Sequence, residues 1–189
     1  AQLLWLNLVT NGIQDVALAF EPGAGDELLR PPRPPHEPVL DRRMAGRVAV
    51  SAVTMGVTAF AVFRLWLADG GGADEPHAAA TVAAARNATL LAMVILENVH
   101  LGNCRSEIRS AFATPPWRSP LLLAGTLVAL AVHVLAMHLP FARSVLEIGP
   151  LPPGQWLLVA LLATTVLPAV ELHKWWCRRR MPAGTGRPR

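Results

Sequence analysis

Charged side chains are scarce in this sequence, and lysine and cysteine are nearly absent. Asp, Glu, Lys and Arg make up only 16% of the 189 residues, Lys174 is the single lysine, and there are 2 cysteines. Hydrophobic residues reach 52%, and the mean hydropathy is +0.36. Because charged residues make up about a quarter of a typical soluble domain, this composition excludes an ordinary soluble domain and predicts a membrane protein.

Motifs for ATP hydrolysis are also missing. The chain contains no P-loop, so we expect that it cannot hydrolyse ATP alone and that it holds no cofactor of its own. It enters an apolar stretch directly after Ala1, without the basic region and cleavage site of a signal peptide. We therefore interpret the sequence as a fragment of a longer protein.

Five apolar segments are long enough to cross a bilayer, which takes about 20 helical residues. They predict an all-α polytopic membrane helix bundle of about five transmembrane helices, over residues 2–20, 47–68, 80–102, 120–139 and 154–176. The third segment is the least apolar, because it is interrupted by Arg86, Asn87, Glu97, Asn98 and His100. We expect neighbouring helices to shield these polar groups from lipid.

Two of these segments carry residues that shape helix packing. In the second, Ala52 and Gly56 are spaced four apart, which would allow another helix to come close. In the fifth, Pro168 removes a backbone hydrogen bond and predicts a kink.

Basic residues divide the connecting segments into two groups. Fourteen of the 17 lie in residues 21–47, in residues 103–119 or in the tail from 174. The positive-inside rule places these segments in the cytoplasm, so 21–46 is a Pro- and Arg-rich cytoplasmic loop and 177–189 a basic cytoplasmic tail. Next to a span, such a tail more often contacts anionic lipid than nucleic acid, and we expect no nucleic-acid partner. The bias toward arginine, alanine and proline indicates a GC-rich bacterial genome, so we expect a bacterial inner membrane.

The first segment gathers its polar side chains on one side. At 100° per residue, an arc of about 140° contains Asn7, Thr10, Asn11, Gln14 and Asp15. Lipid cannot satisfy such groups, so they must face protein or water. Two interpretations remain open: the arc packs against other helices, or its oxygens bind a hard cation. Gly12 would weaken the helix and could free backbone carbonyls as further ligands.

Glu97 is the one carboxylate well inside the third segment. A buried carboxylate is unfavourable unless it is paired, protonated or bound to a cation. Arg86 is eleven residues away, about 16 Å along a helix axis, which is too far for direct contact on the same helix. Pairing with a helix outside the sequence is one interpretation. Coordination of an ion or a proton is the other, and we favour it.

The cysteines and the paired histidines suggest structural roles. Cys104 and Cys177 fall on the predicted cytoplasmic side, where thiols stay reduced, and no Cys-x-x-Cys is present. His133 and His138 are five residues apart and point about 140° away from each other on a helix. We expect core or interface histidines there and no metal pair.

The order of residues in the first segment resembles a known family. The residues concerned are Trp5-x-Asn7-Leu8-Val9-Thr10-Asn11-Gly12, followed by Ala17-Leu18-Ala19-Phe20-Glu21-Pro22 and Arg30-Pro31-Pro32-Arg33. This stretch resembles the sixth transmembrane helix and the following loop of P-type cation-transporting ATPases. The pattern is most similar to the calcium and sodium/potassium pumps, and it implies helices six to ten of such a pump. It implies further that Asn7, Thr10 and Asn11 are ligands in a partly unwound helix, and that Glu97 matches a ligand glutamate of the eighth helix.

Two positions depart from the family pattern. Calcium- and sodium/potassium-type pumps carry Asp at the position of Asn11 and usually Pro at that of Gln14. We predict that Asp15 replaces the missing carboxylate. The predicted cation ligands are therefore Asn7, Thr10, Asn11, Asp15 and Glu97, which suit Ca²⁺ or else protons, Na⁺, K⁺ or Mg²⁺. The predicted ion path contains no cysteine, which disfavours copper, zinc and cadmium.

The resemblance also implies the partners of the chain. Its partners would be the lipid bilayer, the transported cation and the rest of the pump, which supplies the first five helices and the actuator, phosphorylation and nucleotide domains. ATP and Mg²⁺ would act there, because the sequence lacks the Asp-Lys-Thr-Gly-Thr phosphorylation motif. The alternative is a stand-alone membrane scaffold, an accessory subunit or a decayed pump remnant.

Overall fold

The computed structural model describes residues 1–22, 40–69, 75–106, 110–113 and 115–179. Every regular element in these ranges is helical: α1 (Gln2–Leu6), a π-helical turn (Asn7–Asn11), α2 (Gly12–Ala19), α3 (Arg42–Asp69), α4 (Glu75–Cys104), 3₁₀ turns (Ala111–Ala113 and Pro116–Arg118), α5 (Pro120–His138), α6 (Pro140–Leu146), α7 (Pro153–Ala163) and α8 (Val166–Arg179). Most of the predicted loop 21–46 and of the tail 177–189 lies outside the described residues.

Four helices in these ranges are long and apolar enough to cross a membrane: Arg42–Asp69, Ala78–Cys104, Pro120–His138 and Pro153–Arg179. They match the last four predicted segments, and the all-α polytopic bundle is confirmed. The leading segment is helical over residues 2–19, about 27 Å at 1.5 Å per residue. It is not among the four, because its polar arc lowers its apolar character. A fifth span there stays a prediction.

Helix α4 lies at the centre of the bundle. It packs along α3 and also contacts α1, α5, α7 and α8. The middle of the helix is buried at Ala85, Ala88, Leu90, Leu91, Ala92, Val94 and Leu96. The least apolar of the predicted spans is therefore shielded by its neighbours, which allows it to carry Glu97 and several amides inside a membrane protein.

Helices α2 and α5 approach each other closely at Gly125. A Cβ added at Gly125 would lie 3.0 Å from Ala17 Cβ and 3.6 Å from Ile13 Cγ2, so only glycine lets these helices come this close. Ala52 and Gly56, the small pair expected to mediate close packing, are both exposed, and a Cβ at Gly56 would meet nothing within 4 Å. Helix α3 instead buries Ser51, Thr58, Val62 and Trp66.

The expected proline kink is present in the last span. Pro168 has no N–H to donate to the Thr164 carbonyl, which accepts from Leu167 N at 3.0 Å instead. The helix therefore breaks at Thr164–Thr165, one turn before the proline. Thr165 Oγ1 lies 3.0 Å from Thr58 Oγ1, and this contact joins the break to α3.

One end of the bundle carries α6, and the connection after it is well packed. Asn87 Nδ2 donates to Gly149 O at 2.8 Å, and Gly149 N donates back to Asn87 Oδ1 at 3.3 Å. Trp66 Nε1 donates to Gln155 Oε1 at 3.3 Å. The segment between α6 and α7 is thereby fixed on α4, and α7 is joined to α3 at the same end.

The opposite end is tied by charged groups. Arg105 Nη2 lies 2.7 Å from Glu21 Oε1 with both side chains nearly buried, and Arg105 Nη1 donates to Pro115 O at 3.1 Å. Lys174, where the basic tail counted in the sequence begins, is only 2% exposed and donates to Asn103 O at 3.0 Å. It thereby caps the carboxyl-terminal end of α4 from α8.

Candidate cation site

The leading segment contains a π-helical turn at the point where the family resemblance implies partial unwinding. Gly12 N donates to Asn7 O, five residues back instead of four. Gly12 itself has φ −60° and ψ −36°, so the chain stays helical through the turn. A π turn inside an α-helix widens it by one residue and is frequent at functional sites. The structure therefore shows a widened turn where unwinding was expected.

Thr10 and Glu97 come together at this turn. Thr10 is fully buried, and its Oγ1 donates to Leu6 O at 2.6 Å close to the Glu97 carboxylate. One hydroxyl proton cannot serve two acceptors. Glu97 Oε2 is buried and has no hydrogen-bond partner among the described residues. A buried carboxylate oxygen left in this state attracts a proton or a cation.

Gln14 links the same two helices one turn later. Its side chain is buried, and its Nε2 donates to Asn98 Oδ1 on α4. The residue was expected within the polar arc but not as a ligand, and the structure shows it holding α2 against α4 beside Glu97. This contact explains how an amide replaces the proline of the family pattern without leaving its polar group unsatisfied.

The other three predicted ligands lie on the exposed side of the leading segment. Asn7, Asn11 and Asp15 are all exposed, and Asn11 Nδ2 donates to Asn7 Oδ1 at 3.0 Å. Asp15 is close enough for its charge to act on Glu97. One part of the polar arc is therefore buried and the other is exposed. The structure brings Thr10 to Glu97. It leaves Asn7, Asn11 and Asp15 on the exposed side of that pair.

Further polar atoms follow Glu97 along α4. Asn98 Nδ2, His100 Nδ1 and Asn103 Oδ1 are buried without a hydrogen-bond partner among the described residues. His100 was noted in the sequence only as an interruption of an apolar segment. Its spacing of three from Glu97, which places it near the same helix face, was the signal that could have marked it.

The described residues do not form a complete metal site on their own. They contain no group of three or more His, Cys, Asp or Glu side chains placed to hold a metal ion. Hard cations such as Ca²⁺ take six to eight oxygen ligands. Thr10 and Glu97 can supply part of such a set, and the exposed oxygens of Asn7, Asn11 and Asp15 are the nearest candidates for more.

Comparisons with known proteins agree with the resemblance. The family model described as "Cation transporting ATPase, C-terminus" matches residues 1–176. A calcium-transporting ATPase of Plasmodium falciparum is 25% identical over 95% of this chain and 17% of its own length. The endoplasmic reticulum-type calcium-transporting ATPase 2 of Arabidopsis thaliana is 28% identical over 94% of this chain and 22% of its own length.

A bacterial relative gives the same result. The calcium-transporting ATPase of Bacillus subtilis is 27% identical over 84% of this chain and 17% of its own length. The chain thus spans about a fifth of the curated relatives that it matches. Together with the four apolar helices, these matches show an integral membrane protein. The chain belongs to the family of cation-transporting P-type ATPase C-terminal regions.

Proposed function

We propose that this chain is the membrane region of an ATP-driven cation pump and that Thr10 and Glu97 form the centre of its half of the transport site. The observation that carries the proposal is Glu97 Oε2, which is buried beside Thr10 and has no hydrogen-bond partner among the described residues. An anionic oxygen in this position is unfavourable until a cation or a proton neutralises it.

Asn7, Asn11 and Asp15 complete the ligand set in this proposal. They are exposed next to the buried pair, on the side that the rest of the pump would cover. Asp15 supplies the second carboxylate and replaces the acid that Asn11 lacks. With two carboxylates, two amides and a hydroxyl, the site suits Ca²⁺ or, with protonation, Na⁺, K⁺, Mg²⁺ or H⁺. Cys104 and Cys177 do not join the site, which disfavours soft metals.

The remaining parts of the pump supply what the chain lacks. ATP and Mg²⁺ bind to the phosphorylation and nucleotide domains, which lie in the rest of the protein with the actuator domain and the first five helices. We place the pump in a bacterial inner membrane with the carboxyl terminus in the cytoplasm. The distribution of arginines supports that orientation.

The test is phosphoenzyme formation from ATP by the full-length pump, measured against a panel of Ca²⁺, Mg²⁺, Na⁺, K⁺ and pH. We expect one of these cations to stimulate it, and Glu97→Gln to reduce the apparent affinity for that cation at least about tenfold, because a charged ligand is lost. The matched control is Glu147→Gln, an exposed carboxylate at the end of α6. Unchanged stimulation in Glu97→Gln would show that Glu97 is not a ligand, and a wild type that no cation stimulates would favour a non-transporting scaffold.

A further inference from the structure

A hydrogen bond between α1 and α5 fixes the protonation state of a buried histidine. Trp5 Nε1 lies 3.1 Å from His133 Nδ1. An indole N–H can only donate, so Nδ1 must be the acceptor and carries no proton. His133 is therefore neutral in this structure, with its proton on Nε2.

The second ring nitrogen of His133, Nε2, makes no hydrogen bond with the described residues. His133 is 0% exposed, and Nε2 is buried without a hydrogen-bond partner among the described residues. A buried donor without a partner is unfavourable, and a phenyl ring would fill the same space without that cost. The favourable polar contribution of the imidazole at this position is the Nδ1 acceptor that it offers to Trp5.

Trp5 stands directly before the candidate site. The next residue, Leu6, provides the carbonyl that accepts from Thr10 Oγ1, and Asn7 begins the π turn. A second contact fixes the same short helix, because Gln2 Nε2 donates to Leu146 O at 2.8 Å. Helix α1 is thus held on α5 and α6 immediately before the chain reaches the ligands.

We propose that His133 is a positioning residue for the cation site: through Trp5 it sets the rotation of α1, and so places the π turn with Thr10 opposite Glu97. Because the segment is helical without a break from Gln2 to Ala19, a rotation at Trp5 is carried along the same axis to the π turn. Without the His133 contact, a rotation of α1 moves the Leu6 carbonyl and the side chains that follow it. This inference depends on the cation site proposed above.

The experiment uses the full-length pump with Ca²⁺ as the probe and compares His133→Phe, Trp5→Phe and the double variant. We expect each single change to raise the half-saturating Ca²⁺ concentration for phosphoenzyme formation about threefold to tenfold, which is the contribution of one hydrogen bond. The maximal phosphoenzyme level at saturating Ca²⁺ should not change. The double variant should be no worse than either single variant, because both remove the same bond.

Two further variants separate positioning from packing. His133→Asn offers an acceptor oxygen near the position of Nδ1, and we expect it to restore most of the Ca²⁺ affinity. His138→Phe is the matched control on α5, since His138 is exposed and its Nδ1 lies 2.9 Å from Val134 O of its own helix. Additive effects in the double variant, or a wild-type half-saturation in His133→Phe, would overturn the inference.

A spectroscopic measurement gives an outcome that does not depend on transport. In the ¹⁵N spectrum of histidine-labelled pump, assigned through His133→Asn, we expect His133 as the neutral form protonated on Nε2. The form protonated on Nδ1 would overturn the inference even if Ca²⁺ stimulates the pump. A wild-type pump that none of the panel cations stimulates would instead count against the proposed site, whatever the histidine spectrum shows.

Discussion

Neighbouring polar residues of the leading segment have different surroundings, although the sequence placed them on one arc. Thr10 and Gln14 are buried and contact α4, whereas Asn7, Asn11 and Asp15 are exposed. The buried residues are held in place by their own hydrogen bonds. In the proposed site, the buried residues would hold the two helices together and the exposed ones would complete the ligand set around a cation.

Asp15 is the residue whose predicted role differs most from the family pattern. We expect Asp15→Asn in the full-length pump to abolish cation-stimulated phosphoenzyme formation, because the site then keeps only the carboxylate of Glu97. The measurement is phosphoenzyme level against cation concentration. Asp41→Asn is a control, since Asp41 caps the start of α3 through Met44 N, outside the site. Unchanged stimulation in Asp15→Asn would show that Asp15 is no substitute for the missing acid.

The buried side chain of Lys174 leads to a separate prediction about the free energy of unfolding. Its side chain is buried and donates to Asn103 O at 3.0 Å, with Glu171 Oε1 at 3.6 Å. We expect Lys174→Met to lower the free energy of unfolding by about 1–3 kcal/mol, because a buried acceptor loses its donor. Thermal unfolding in detergent measures this. Arg179→Met, which removes an exposed contact with the Trp175 ring, should change stability by less than about 1 kcal/mol.

At the scale of helices, small residues determine where elements approach each other. Gly125 lets α5 come within van der Waals contact of α2, which carries Gln14 and follows the π turn. The pair Ala52 and Gly56 was expected to do this on α3, but it lies on a face that the described chain leaves exposed. A small-residue motif allows close packing, but close packing occurs only where another helix lies against the face that carries the motif.

This contrast gives a matched pair of variants. We expect Gly125→Val to destabilise the bundle by about 1–3 kcal/mol, since even a Cβ would lie only 3.0 Å from Ala17 Cβ. Gly56→Val, with nothing within 4 Å, should change stability little. Thermal unfolding of both variants in detergent compares them directly. Equal destabilisation would show that α2 and α5 do not pack as described.

At the scale of the whole molecule, the two ends of the bundle are held by different chemistry. The α6 end relies on neutral groups, such as the amide of Asn87 on the backbone of Gly149. The opposite end relies on charges, with Arg105 on Glu21 and Lys174 on the end of α4. Positive residues concentrated at one end are the pattern that orients a membrane protein with that end in the cytoplasm.

The orientation can be measured with reporters on the full-length pump. We expect a fluorescent protein fused after Arg189 to fluoresce, because that end should lie in the cytoplasm, and alkaline phosphatase inserted at residues 70–74 to be active outside. The reciprocal fusions, with the reporters exchanged, are the controls. Phosphatase activity at the carboxyl terminus would reverse the proposed orientation.

The sequence by itself determined the membrane class, the all-helical fold, four of the spans, the proline break before Pro168 and the nomination of Thr10 and Glu97. These follow from local properties, because hydropathy, helical period and the missing proline N–H act within one segment. Only the tertiary structure decided which side of the polar arc is buried and that Lys174 is buried. It also decided the two hydrogen bonds between helices, from Gln14 to Asn98 and from Trp5 to His133. The helical period gives the angle between side chains on one axis, but packing of distant segments sets how each axis is rotated toward its neighbours.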